Sequence, residues 1–204
     1  MKNLKLFVAL LISISIVSIG YSQKIKLKTG NLSALKGQTS INVEYDYEGM
    51  GVGKYRTQEE YIEDGFKERE EKEAGTGQKF KDSWYNAQKE KYPNKFEELM
   101  NKGLEGKGMK ISQNNSSAKY TLIVKTTFTE PGFNIGIMRK PAFTNIDVYV
   151  VETANKDNII AQISSDANPG QDAMGFDYDA SFRIGESYAK CGKSLAKFIS
   201  KNLK

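Results

Sequence analysis

Residues 146–163 read IDVYVVETANKDNIIAQI. Ile146, Val148 and Val150 recur with a period of two, which turns successive side chains to one face of a strand. A second apolar run follows at 159–163, after the polar stretch Asn155-Lys156-Asp157-Asn158. Two strand-like runs with polar residues between them predict a β-hairpin. Upstream, Tyr120, Leu122 and Val124 alternate in the same way and add a third strand. Downstream, from about Ser181, the period changes to that of a helix: Ile184, Tyr188, Cys191, Leu195 and Ile199 fall on one side. The second half is therefore read as a strand-rich block closed by an amphipathic helix.

The first half adds strands and then helices. Ile25 and Leu27 alternate with Lys24, Lys26 and Lys28, and Ile41, Val43, Tyr45 and Tyr47 alternate with Asn42, Glu44, Asp46 and Glu48. Each pattern predicts a half-buried strand, and the cationic and anionic polar faces suggest that the two pair as a hairpin. Thr57 followed by Glu60 is a capping box, predicting a helix to about residue 73 that Gly75 and Gly77 end. Its only large apolar residues are Tyr61, Ile62 and Phe66, so most of its surface should face solvent. A second helical stretch carries Phe80, Trp84 and Ala87; a third, after Pro93, carries Phe96, Leu99, Met100 and Leu104 and stops at Gly106 and Gly108. Strands, helices, strands and a final helix, in that order, predict a single α+β domain over residues 23–204 with a mixed or antiparallel sheet.

The helix at 96–104, Met109-Lys110-Ile111, the run Ala118-Lys119-Tyr120-Thr121-Leu122-Ile123-Val124, the strand pair around Val148 and Ile160, and the closing helix resemble a group of small bacterial envelope domains. The group includes the periplasmic domain of the curli-secretion channel and the N-terminal domain of the Tol-system propeller protein. The resemblance spans about residues 94–203 and rests on element order and apolar pattern, without a specific motif. It implies a binding or assembly role and carries over no functional residue.

Lys2 and Lys5 precede an apolar stretch from Leu6 to Ile19 interrupted only by Ser13, Ser15 and Ser18. A charged start followed by such a stretch is read as a secretory signal peptide over residues 1–22. Gly20 and Ser22 occupy the small-residue positions before a Ser22/Gln23 bond. The stretch is shorter than the roughly 20 apolar residues of a membrane-spanning helix. The only cysteine is Cys191, so no lipid-anchoring cysteine follows the apolar stretch. The expectation is a periplasmic or secreted protein that is not lipid-anchored and not integral to the membrane after cleavage.

Composition narrows the chemistry. Without Lys2 and Lys5, 28 basic residues face 25 acidic ones, a balance that does not favour nucleic acid as a partner. One cysteine makes no internal disulfide, and its helical spacing places it in the core. With no histidine in the chain, Ser-His-Asp and Cys-His catalysis and histidine-based zinc sites are excluded. No cofactor is implied.

Gly49-Met50-Gly51-Val52-Gly53-Lys54 imitates a phosphate loop, but Glu48 stands where its first glycine belongs and Tyr55 where its Ser or Thr belongs. Asp172, Asp177 and Asp179 are weak candidates for a calcium site. Read as an EF-hand from Asp177, however, the register puts Phe182 at the glycine and Tyr188 at the bidentate glutamate. Acidic residues before a helix are accounted for by capping and by the helix dipole. Lys190, Lys193, Lys197, Lys201 and Lys204 form one stripe on the last helix, either a solvated face or a contact for an anionic envelope surface.

Residues 131–143 are the most suggestive. Phe133, Ile135, Ile137, Met138 and Phe143 crowd a stretch punctuated by Gly132, Gly136 and Pro141, with Arg139 and Lys140 at its centre. Such a connection is either a bent continuation of a strand pair or an exposed apolar tip for a partner or membrane. The leading expectation is a non-enzymatic module that binds or assembles another envelope component through Phe133, Ile135, Ile137, Met138, Arg139 and Lys140. Two alternatives stand beside it: a hydrolase of envelope polymers using paired carboxylates such as Asp177 and Asp179, and a small-ligand carrier walled by Tyr45, Tyr47, Trp84 and Phe128.

Overall fold

A computed structural model describes residues 22–135, 138–170 and 179–203. The long strands are where period-two alternation predicts them: β1 Lys24–Gly30, β2 Ser40–Asp46, β5 Tyr120–Glu130, β8 Ala142–Glu152 and β9 Asn155–Gly170. Shorter strands are β3 Gly51–Val52, β4 Lys110–Ser112, β6 Phe133–Asn134 and β7 Arg139–Lys140. The helices are α1 Gln58–Lys72, α2 Thr76–Asn86, α3 Tyr92–Leu104 and α4 Ala180–Asn202.

One mixed sheet runs β1-β9-β8-β5-β2-β4, with β3 also pairing β5. β1, β9, β8 and β5 are antiparallel neighbours, while β2 is parallel to both β5 and β4. The fold is α+β, as the element order predicts. The β8–β9 hairpin is present, but its turn is at Thr153 and Ala154, and Asn155 already belongs to β9.

β1 and β2 do not pair. β1 pairs with β9 at the sheet edge and β2 sits between β5 and β4. Burial explains the difference. Ile41 and Val43 of β2 are almost wholly buried, which requires neighbours on both sides. β1 is exposed along nearly all its length, and alternate lysines suit an edge because they discourage further strands from adding.

α3 and α4 cover one sheet face. Phe96, Met100 and Leu104 from α3, and Ile184, Tyr188, Cys191, Leu195 and Ile199 from α4, join Leu122, Val124, Ile146, Val148, Ala161 and Ile163 in one core. Register aligns the contributions: Leu122 opposes Val150 and Val124 opposes Val148. Cys191 is fully buried, as its helical spacing predicts, and burial pushes its thiol up to about 12.

The two helices touch backbone to backbone. A Cβ on Gly192 would lie 2.3 Å from the Phe96 carbonyl oxygen. Gly192→Ala is expected to force α3 and α4 apart and cost about 1–3 kcal/mol, measured by denaturant unfolding.

Thr57 caps α1 as predicted, its hydroxyl accepting from Glu60 N at 3.3 Å. Two helical boundaries differ from expectation. Gly77 lies inside α2, against the Phe66 carbonyl. Pro93 does not begin a separate helix, because α2 continues into α3 through a π-helical turn at Ala87–Lys91. The junction residues keep helical dihedrals. A π turn shifts the hydrogen-bond register, and the Gln88 carbonyl within it accepts from the Tyr47 hydroxyl at 3.0 Å, so the missing N–H of Pro93 is tolerated.

Among the described residues, no helix layer covers the other sheet face. Asn42 on that face is nevertheless buried, because the segment 113–119 crosses β2 there on its way from β4 to β5. Asn42 Oδ1 accepts from Asn115 N at 3.0 Å, and Asn42 Nδ2 donates to Thr121 Oγ1 at 3.2 Å and to Glu44 Oε1 at 3.0 Å.

Candidate functional site

Beyond Glu130 the chain turns through Pro131 and Gly132 into a small hairpin, with Phe133 opposite Lys140 and Asn134 opposite Arg139. Gly132 makes the turn possible. Its φ is +61°, and a Cβ there would lie 2.2 Å from the Lys140 carbonyl oxygen. Glu130 braces the base, accepting from Gly132 N at 3.0 Å and from Lys140 Nζ at 2.6 Å. Toward the tip, Ile135 N donates to Met138 O at 3.0 Å.

The described part of this stretch is a short ladder that carries exposed apolar residues. Phe133, Ile135 and Met138 are 41%, 59% and 56% exposed, and they make up half of the six large hydrophobic residues exposed among the described residues. Such clustering within six positions is unlike the scattered apolar exposure of an ordinary surface. Ile137 lies outside the described residues. Arg139 and Lys140 are exposed, and Lys140 is already paired with Glu130. Phe143 is not part of the tip: it returns to β8 and packs against Phe128, ring centroids 5.6 Å apart.

A residue of α4 outside its apolar stripe fixes the hairpin to the body. Arg183, in the first turn of α4, is 4% exposed. Its Nε donates to Pro131 O and its Nη2 to Gly132 O, both at 3.1 Å. The first turn of α4 is capped by Asp179, which accepts from Ser181 N at 2.7 Å. Asp179 is thus a cap, while Asp172 and Asp177 lie outside the described residues.

Between this turn, the hairpin and α1–α3 is a half-open cleft of about 420 Å³. Tyr61, Phe80, Trp84 and Tyr92 line it, as do Arg69 and Arg183. Each wall is held from behind. Trp84 Nε1 donates to Gln58 Oε1 at 3.2 Å, Arg69 lies 4.0 Å over the Phe80 ring, and Tyr92 stacks on Tyr188 at 4.8 Å and 3°. The signal for this cleft was arginine itself. The chain has four arginines against 26 lysines, and Arg69, Arg139 and Arg183 all come to the hairpin or the cleft beside it.

The four aromatic residues considered as a carrier's wall do not converge. Trp84 is in this cleft, whereas Tyr45 packs edge-on to Phe96 at 5.9 Å, Tyr47 donates to Gln88 O at 3.0 Å, and Phe128 lies against Phe143. The glycine-rich stretch 49–54 is a connection, with Val52 bridged to Tyr55 ahead of the Thr57 cap.

Lys193, Lys197 and Lys201 are exposed along α4, Lys190 is half-buried, and Lys204 lies outside the described residues. A second row of cations lies on the opposite face of the sheet, because Ile25 and Leu27 of β1 pair with Ser165 and Ile163 on the core side. Lys24, Lys26 and Lys28 are exposed on β1, which is tied to α4 where Ser194 Oγ donates to Gln23 Oε1 at 2.8 Å. No helix among the described residues is long and apolar enough to cross a membrane.

No family model and no curated protein matches the chain. Among solved structures it is similar to the PelC dodecamer from Paraburkholderia phytofirmans, at 10% identity and a TM-score of 0.39, covering 86% of this chain and 98% of that one. A leucine-to-methionine variant of the same dodecamer gives 10% identity and a TM-score of 0.41, covering 89% and 98%.

Proposed function

We propose that this chain is an exported, non-enzymatic envelope protein that binds or helps assemble another envelope component through the hairpin of residues 133–140. The observation that carries the reading is the exposure of Phe133, Ile135 and Met138 on one short, braced hairpin. A hairpin backbone braced at its base loses little backbone freedom when a partner covers its apolar side chains. The signal-peptide pattern of residues 1–22 supports an address outside the cytoplasm. The resemblance of residues 94–203 to curli-channel and Tol-propeller envelope domains supports assembly over catalysis. The exposed lysines of α4 offer a second contact to an anionic envelope surface, salt-sensitive because it is exposed.

The test compares the tagged full chain with a Phe133→Ser/Ile135→Ser/Met138→Ser variant, both cross-linked in the cells that produce them. The unaltered chain is expected in the envelope fraction, beginning at Gln23, with a defined cross-linked partner. The variant should lose that partner while its thermal midpoint stays within about 2 °C, as for other surface substitutions. An unchanged cross-linking pattern, or a chain retained in the cytosol with Met1 intact, would overturn the reading.

A further inference from the structure

Cleavage after Ser22 leaves Gln23 as the first residue, and an N-terminal glutamine can close on itself. Its neutral α-amine attacks its own Cδ. The N–Cδ bond forms, the Cδ–Nε2 bond breaks, and the side-chain nitrogen leaves as ammonia with the proton that the amine gives up. The product is an uncharged pyroglutamate lactam. No oxidant or cofactor enters; the requirement is a carboxamide free to fold back onto its own main chain.

In the folded chain the Gln23 carboxamide is held at both ends by β9 and α4. Nε2 donates to Asn168 Oδ1 at 2.6 Å and to Ser165 Oγ at 3.4 Å, and Oε1 accepts from Ser194 Oγ at 2.8 Å. The socket does not depend on the glutamine for its shape. Asn168 and Ser165 are fully buried, and Asn168 Nδ2 donates to Thr144 O at 2.9 Å and to Ser165 O at 2.8 Å. With its nitrogen so engaged, Asn168 turns only its oxygen toward the glutamine. Ser165 Oγ donates to that same oxygen at 2.6 Å, so toward Gln23 it acts as an acceptor. The nitrogen that would leave is therefore surrounded by acceptors, whereas departure as ammonia needs a proton delivered to it.

We propose that the fold governs a modification at Gln23: pyroglutamate forms only while β1 is undocked, and the socket keeps the docked chain as an open glutamine with a free α-amine. The proposal rests on the cleavage at Ser22/Gln23 proposed for the exported chain and is independent of the apolar hairpin.

The full precursor, in detergent, is cut with purified signal peptidase, and the product is held at about pH 8, where roughly half of an α-amine is neutral. Loss of ammonia is followed by intact mass and by blockage of N-terminal sequencing, in buffer and in guanidinium chloride. A synthetic peptide of residues 23–30 is the unstructured reference in both solvents. Because the carboxamide must leave its hydrogen bonds before it can close, the folded chain should cyclise at least about thirtyfold more slowly than the peptide, and the denatured chain at the peptide's rate. Ser194→Ala, at a half-buried position on α4, should raise the folded rate about fivefold, the equivalent of one hydrogen bond, and leave the denatured rate unchanged. Equal rates in the folded chain and the peptide would overturn the proposal, as would a folded rate unaltered by Ser194→Ala. A product that begins elsewhere than at Gln23 would overturn the cleavage reading, and the proposal with it.

Discussion

Raising the pH from about 8 to about 11 is expected to unfold this protein cooperatively, with tyrosinate absorbance appearing at the same midpoint at which the helical circular dichroism is lost. The cause is a set of neutral acids enclosed by the core. Tyr92, Tyr188 and Cys191 are all but wholly buried, and burial raises the pKa of each. Tyr45 and Tyr47 are raised in the same sense, again chiefly by burial. A group whose folded pKa lies above its unfolded value stabilises the fold fully below the unfolded value, and that stability is lost as the pH rises toward the folded one. The window therefore opens near pH 8.5, where an unfolded cysteine ionises, and widens near pH 10 with the tyrosines. At about pH 11 each fully buried phenol favours unfolding by about 1.4 kcal/mol and the thiol by about 3 kcal/mol. Together these approach 6 kcal/mol, comparable with the whole stability of many domains. Tyr188→Phe should move the alkaline midpoint upward, although it leaves Thr126 Oγ1 without its 2.6 Å partner and costs about 1 kcal/mol at neutral pH. Gradual ionisation with the circular dichroism intact would show that the core admits hydroxide without unfolding.

Arg183→Met is expected to cost about 3–5 kcal/mol and to release the hairpin. The side chain keeps most of its apolar stem but no longer donates to the carbonyls of Pro131 and Gly132. Those oxygens are then left in a site built around a cation, and hydrogen bonds to a charged donor contribute about 1.5–3 kcal/mol each. Limited trypsin digestion provides a local readout, since a loosened hairpin should be cut after Arg139 well before the rest of the chain. Asp179→Ala is the control at the same helix end. It removes a cap hydrogen bond and should cost only about 1 kcal/mol while sparing the hairpin. An Arg183→Met variant as stable and as resistant as the parent would mean that the turn holds itself.

How far these features can be read from sequence depends on whether local periodicity or long-range contact decides them. Alternation located the middles of β5, β8 and β9, because one face of each strand is covered by α3 and α4. It stopped short of the β5 end at Glu130 and the β9 end at Gly170. Past Ile163 the strand runs through Ser164, Ser165 and Asn168, all buried, so polarity there imitates a loop. Asn168 Nδ2 donates to Thr144 O at 2.9 Å beside Ala167, whose φ is +52°, so a side chain supplies the pairing that the irregular backbone interrupts. The β1–β2 pairing inferred from opposite charges was overridden by burial, since surface ion pairs are weak beside the enclosure of Ile41 and Val43. At the site, Phe133, Ile135 and Met138 were legible because apolar residues among Gly and Pro are out of place in a loop. Arg183 and Tyr92 were not. The first sits within an ordinary helical pattern, and the second precedes a proline that marks a boundary on paper but not in the fold.

The pairing of β1 with β9 sets an order of events. Lys24 opposes Asp166, and Gln23 reaches both Asn168 Oδ1, at 2.6 Å, and Ser194. A chain emerging in sequence from a ribosome presents β1 first and its partners last. Closing so long a loop is slow relative to the local hairpin and helices, so the β1 edge is the last part of the sheet to be sealed. Until then β9 stands as an open edge of the sheet, and the alternate lysines of β1 are what close it against further strands.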